Sequence, residues 1–234
     1  MMNWVEISKI KDVNQIREAV QGLNINERDE RGRTPLMLCL TARMPVEGIR
    51  CLLEQSPDLE IEDKLGDTAL KKAIRFKQVE AISLLLEFGA KLDSPQGILS
   101  TAWNAARSNP DIADLLLDTP GAIRLKLTED EQNKVDAIVY EESIEQAIVK
   151  IRELDSAVLI HAVVSEYNWD DGPEPMLAVC EHPACAEITL LDMLELMEAD
   201  YWLEMDEEEV RQRVDGPACR RLAEQLYERQ SRRS

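Results

Sequence analysis

The feature that most constrains this chain is that it repeats itself. The segment from Ile25 to Leu36 recurs in form from Leu59 to Leu70, with Gly32, Thr34 and Leu36 matched by Gly66, Thr68 and Leu70 at an offset of 34. Further on, Ile49, Cys51, Leu52 and Leu53 are matched by Ile82, Leu84, Leu85 and Leu86 at an offset of 33. Leu115, Leu116 and Leu117 follow Leu84, Leu85 and Leu86 as a looser copy at 31. A period in this range marks stacked supersecondary units. One such unit cannot bury its own apolar face, so its neighbours must complete the core.

Inside the unit the residues read as two helices. Thr34 is placed to cap a helix whose first turn tolerates Pro35. Leu36, Leu38, Cys39 and Leu40 then supply an inward stripe. Gly89 can take the left-handed conformation that ends a second helix. Gly32-Arg33-Thr34-Pro35-Leu36 and Leu84-Leu85-Leu86-Glu87-Phe88-Gly89-Ala90 together resemble the ankyrin repeat over roughly residues 4–118. Asp12 to Val20 reads as the second helix of a degenerate first repeat, with Trp4 available to cover its open end. The last repeat has Leu99-Ser100-Thr101 in place of Thr-Pro-Leu, and Trp103 where a small residue is usual. The resemblance implies three to four repeats that bind proteins through inter-repeat turns and inner helices and carry no chemistry. The turn tips it indicates are Arg28, Asp29 and Arg31, then Glu62, Asp63 and Lys64.

Pro120-Gly121 breaks the pattern. We expect an ankyrin domain over residues 1–120 and an acidic helical domain over 121–234, giving an all-α chain. Thr128-Glu129-Asp130-Glu131 has the form of a capping box. Val135, Ile138, Val139, Ile144, Ala147, Ile148 and Ile151 follow at helical spacing, in one or two helices. Further helices are expected over Ala157–Glu166, Pro175–Cys180, Ile188–Tyr201, Glu207–Val214 and Ala218–Gln230, with Gly216-Pro217 separating the last two. Tyr167-Asn168-Trp169-Asp170-Asp171-Gly172, His182-Pro183-Ala184-Cys185 and Thr189-Leu190-Leu191 resemble the DUF4274 family over about residues 155–205. That resemblance implies a helical fold and supplies no mechanism.

Charge separates the halves further. The net charge is −19, yet the 58 residues between Arg152 and Arg211 hold 17 Asp or Glu and no Lys or Arg. From Arg211 onward there are seven arginines against three acids. Such a field repels nucleic acid and anionic lipid and speeds encounter with a basic protein. The start of the chain lacks a cationic segment followed by an apolar run, no stretch of about 18 apolar residues occurs, and the five cysteines are odd in number and scattered. These point to the cytoplasm.

Candidate chemistry is sparse. Asp170 and Asp171 are adjacent in a turn, where neighbouring carboxylates point apart, and Asn168 or Asp170 bonding local backbone is the simpler reading. Cys180, His182 and Cys185 offer half a zinc site, but His161 and Cys219 are remote in sequence and zinc takes four ligands. With two histidines in the chain, nucleophile–base pairs are scarce. No Gly-x-Ser-x-Gly and no phosphate-binding glycine loop is present. The reading is therefore a non-enzymatic binding protein without metal or cofactor, an inhibitor or immunity protein for a basic toxin or effector. A general scaffold is the alternative, and an enzyme centred on Trp169 to Asp171 the other class. Beyond the turn tips, partner contacts are expected at Trp169, Asp170, Asp171, Tyr201, Trp202, Glu207, Glu208 and Glu209.

Overall fold

A computed structural model describes residues 3–232. The chain divides into two compact units, residues 1–116 and 117–234. Helix is the only extended secondary structure among the described residues.

The first unit holds four helix pairs: α1 (Trp4–Ile10) and α2 (Val13–Ala19), α3 (Pro35–Thr41) and α4 (Val46–Leu53), α5 (Ala69–Arg75) and α6 (Val79–Glu87), α7 (Ala102–Ala106) and α8 (Pro110–Leu116). α1, α3, α5 and α7 pack in one row, and α2, α4, α6 and α8 run beside them. α3, α5 and α7 start the same way, while α1 is capped by Asn3. The Thr34 hydroxyl accepts the Met37 N–H, Thr68 that of Lys71, and Thr101 that of Asn104. The degenerate last repeat thus keeps its cap although it lacks the Thr-Pro-Leu string. Trp4 proves to belong to an inner helix of its own, so the first repeat is a full pair. Its indole N–H donates to the Asn24 carbonyl at 2.9 Å.

The expected inward stripe on α3 is wider than a stripe. Leu36, Met37, Leu38, Cys39 and Leu40 are all buried, because an inner helix has neighbours before it, behind it and at its side. Fully burying a Leu contributes roughly 1.5–3 kcal/mol, so this helix anchors the stack. The helix ends close with a left-handed residue. Gly89 sits at φ 86° and Ala90 N–H donates back to the Leu85 carbonyl. Arg43 (φ 56°) and Lys77 (φ 55°) make the same closure after α3 and α5 without the help of glycine.

The second unit contains α9 (Glu129–Val139), α10 (Ile144–Arg152), α11 (Ala157–Glu166), α12 (Glu174–Glu181), α13 (Glu187–Leu196), α14 (Ala199–Glu204), α15 (Glu207–Gln212) and α16 (Gly216–Ser231). The capping box forms: the Thr128 hydroxyl accepts the Glu131 N–H, and the Glu131 carboxylate accepts the Thr128 N–H. The run from Val135 to Ile151 folds as two helices. α11 is apolar all round and sits centrally, buried from Val158 to Val164. α16 packs against α12, α13, α14 and α15.

Two boundaries differ from expectation. The Ile188–Tyr201 run breaks after Leu196, where Glu198 turns left-handed (φ 52°) and α14 starts in a new direction. Gly216-Pro217 is the first turn of α16 and not a spacer, since proline at a helix start gives up an N–H that has no partner there anyway.

Candidate functional site

Two surfaces carry the candidate residues, and each belongs to one unit.

In the first unit the turns are copies at a spacing of 34. Asp29 Oδ1 accepts the N–H groups of Arg31 (2.9 Å) and Arg33 (2.8 Å), and Asp63 Oδ1 those of Leu65 (2.8 Å) and Asp67 (3.0 Å). Gly32 needs its missing side chain twice over. Its φ is +76°, and a Cβ would lie 3.3 Å from the Lys64 nitrogen of the next turn, whose N–H donates to the Arg31 carbonyl. The turns are also tied in series. Arg28 donates to the Glu62 carbonyl at 2.6 Å, and the Gln96 amide donates to the Glu62 carboxylate.

Most of the charge here is consumed internally. Asp29 pairs with Arg33 at 2.7 Å. Lys72, itself buried, places its ammonium 2.7 Å from both Asp63 and Asp67, and Arg75 closes on Asp67 from outside. Burial pushes the Asp63 carboxyl up, but the Lys72 ammonium and the Asp67 and Leu65 N–H groups outweigh it and hold the group below its ordinary value. Asp29 is likewise raised by burial and lowered further by Arg33. Of the six tip residues named from sequence, Asp29 and Asp63 turn inward, Arg28 and Glu62 staple turns together, and Arg31 and Lys64 face solvent. Sequence reasoning passed over Leu65, which is 74% exposed at the tip position that matches Arg31 at an offset of 34, and Leu99, 60% exposed in the short 3₁₀ helix before Thr101.

In the second unit, Trp169, Asp170 and Asp171 form one 3₁₀ turn. Asn168 caps it, its side-chain oxygen accepting the Asp170 N–H at 3.4 Å. Tyr167 meets Trp169 edge-on with centroids 6.1 Å apart, and its hydroxyl donates to the Gly172 carbonyl at 2.8 Å. Burial, with Asp171 and Glu174 adding to it, pushes the Tyr167 hydroxyl up to about 12. Trp169 packs on the core and the two aspartates stay in solvent, an arrangement that shapes a turn.

The cysteine–histidine string is also built into the scaffold. His182 Nδ1 accepts the Ala184 N–H at 3.1 Å, and Arg229 donates to the His182 carbonyl at 2.9 Å. His161 lies between Thr189, 3.0 Å from Nδ1, and Asp192, 3.7 Å from Nε2. Burial raises the thiols of Cys180 and Cys219 to about 11 and of Cys39 to about 12, which disfavours the thiolate that metals and nucleophilic chemistry require. No three His, Cys, Asp or Glu side chains gather as a metal site among the described residues.

The acidic segment is partly answered by the basic tail. Arg211 pairs with Glu207 at 3.2 Å and Arg213 with Glu209 at 3.1 Å, all four exposed. Arg213 also lies over Tyr201 (5.5 Å) and Trp202 (5.9 Å). Arg220 donates instead to the carbonyls of Met205 and Leu203, closing the end of α14. Trp202 is tied inward by a bond from its indole N–H to the Met197 carbonyl, whereas Tyr201 stays 45% exposed and Glu208 points into solvent.

Comparison with known proteins agrees with this division. Residues 5–96 match the family model described as ankyrin repeats (3 copies), and residues 155–231 match the domain of unknown function DUF4274. The second match extends past the segment that carried the resemblance and takes in α16. The human ankyrin repeat domain-containing protein 63 is 27% identical over 128 residues, covering 53% of this chain and 34% of its own length. The mouse protein of that name is also 27% identical over 128 residues. The chain spans about a third of the length of these relatives. Ankyrin repeats are a protein-binding scaffold, and no helix among the described residues is long and apolar enough to cross a membrane. Residues 5–96 of this chain are ankyrin repeats and residues 155–231 are a DUF4274 domain.

Proposed function

We propose that this chain is a non-enzymatic binding protein that neutralises a basic protein, acting as an inhibitor or bacterial immunity protein for a toxin or effector domain in the cytoplasm. The observation that carries this reading is the acid between Arg152 and Arg211, 17 carboxylates in a stretch with no Lys or Arg of its own, of which Glu207 and Glu209 are answered by Arg211 and Arg213 of the tail. Concentrated like charge opposes the compact state by self-repulsion. A positive partner relieves that cost and is drawn in by the same field. The buried cysteines, and a turn around Trp169 to Asp171 that is closed locally by Asn168 on the Asp170 N–H and by Tyr167 on the Gly172 carbonyl, favour binding over catalysis.

The test is copurification from the native host followed by two assays on the recovered protein. Its isoelectric point should be basic, and its toxicity when expressed alone should be relieved by coexpression of this chain. An acidic or harmless partner overturns the proposal. A general scaffold would instead bind partners without regard to charge.

A further inference from the structure

Within the DUF4274 domain, the break at Glu198 has opened a pocket. α13 stops at Leu196, Glu198 adopts φ 52°, and α14 leaves in a new direction across α16. The space left is about 540 Å³. Leu191 and Leu194 supply apolar surface, Tyr201 and Tyr227 are its aromatic members, and Glu195, Glu198 and Asp200 are its exposed acids. No Lys or Arg lines it. Neither Glu195 nor Glu198 is within ion-pair distance of a base among the described residues, while Asp200 accepts the Tyr227 hydroxyl.

We propose that this pocket seats an arginine side chain of the basic partner, which deepens the functional reading above and rests on it. An arginine offers the three things the lining asks for. Its alkyl stem covers Leu191 and Leu194, its charge answers three carboxylates, and its flat guanidinium stacks on a ring. Tyr201 already accepts a guanidinium: that of Arg213 lies 5.5 Å from its ring centroid, Trp202 meets the ring edge-on, and the residue as a whole stays 45% exposed. A lysine would bring the charge but neither the stacking nor the forked donors. The acidic face of the domain draws the partner in, and this pocket fixes its register.

The probe is an octapeptide carrying four arginines, titrated into the full chain at low salt, with the citrulline peptide as its uncharged isostere. Glu195→Gln with Glu198→Gln should weaken binding about tenfold, the effect of losing two exposed charge pairs. Glu204→Gln with Glu208→Gln removes the same charge from the same domain outside the pocket and should weaken it less than about twofold. Tyr201→Ala, a surface change, should weaken it as well, and the citrulline peptide should not bind. Equal losses in the two double variants, an unaffected Tyr201→Ala, or no binding by wild type would each overturn the pocket. The partner's identity is read separately by copurification, so either idea can fail while the other stands.

Discussion

The two units are built from similar short helices but treat their acids in opposite ways. In the ankyrin unit, carboxylates are structural parts. Asp29 and Asp63 each organise a turn, and Lys72 holds Asp63 and Asp67 in a buried cluster. In the DUF4274 domain most acids face outward, and the arginine partners of Glu207 and Glu209 are exposed i,i+4 neighbours; ahead of that domain, in the capping box, Glu131 is held by the buried Arg124. A buried pair is expensive to break, because the charge left behind has no solvent. An exposed pair is cheap to lose, because water and salt replace it. The same residue type therefore secures the fold in one unit and remains available to a partner in the other.

The largest test of this contrast is Lys72→Met. It leaves Asp63 without its cation and should destabilise the ankyrin unit by about 3–5 kcal/mol in urea unfolding. The pH dependence follows from the direction of the Asp63 shift. Its folded carboxyl lies below the ordinary 3.8, so its stabilisation is present above that value and lost as pH falls through the lower folded one. Lys72→Met should remove this acid-side loss. A variant with wild-type stability and an unchanged acid limb would break the contrast.

Caps come next. Thr34→Ala should cost about 1–2 kcal/mol, since the hydroxyl is buried and its partner N–H would go unmet, and Thr128→Ala about 1 kcal/mol. Lys77→Gly should work the other way. A left-handed lysine costs roughly 1–2 kcal/mol that glycine does not, and the looser unfolded chain returns part of it, so stability should rise by about 0.5–1 kcal/mol. Thermal unfolding of the three variants checks the signs. Smallest of all, Glu207→Gln with Glu209→Gln should move stability by less than about 0.5 kcal/mol, because both pairs are exposed.

Much of this molecule was legible in its sequence where the chemistry was local. Thr34 and Thr68 announced helix starts, Gly89 a helix end, and Thr128 with Glu131 a reciprocal cap, because each signal is complete within a few residues. The period of 34 carried the architecture. What stayed hidden depended on distant partners or on strain. Lys72 looks like any surface lysine until two aspartates from the preceding turn are folded onto it. Nothing in Leu196-Met197-Glu198 marks a break, since no glycine or proline stands there and Glu198 adopts a conformation the residue disfavours. Arg211 and Arg213 pair with Glu207 and Glu209 at helical spacing, while Arg220 spends its terminal donors on the Met205 and Leu203 carbonyls, which its sequence neighbours do not announce. The acid-lined pocket follows from the missed break and was out of reach for the same reason.

The central claim, that the acidic face of the DUF4274 domain exists to meet a positive partner, is tested most directly by the rate of encounter. The measurement is stopped-flow association and dissociation of the full chain with the copurified protein, at low and at high ionic strength. The account predicts an association rate that falls about tenfold or more as salt rises, with dissociation changing by less than about twofold. An association rate indifferent to salt would show that the 17 acids serve only to keep the surface hydrated.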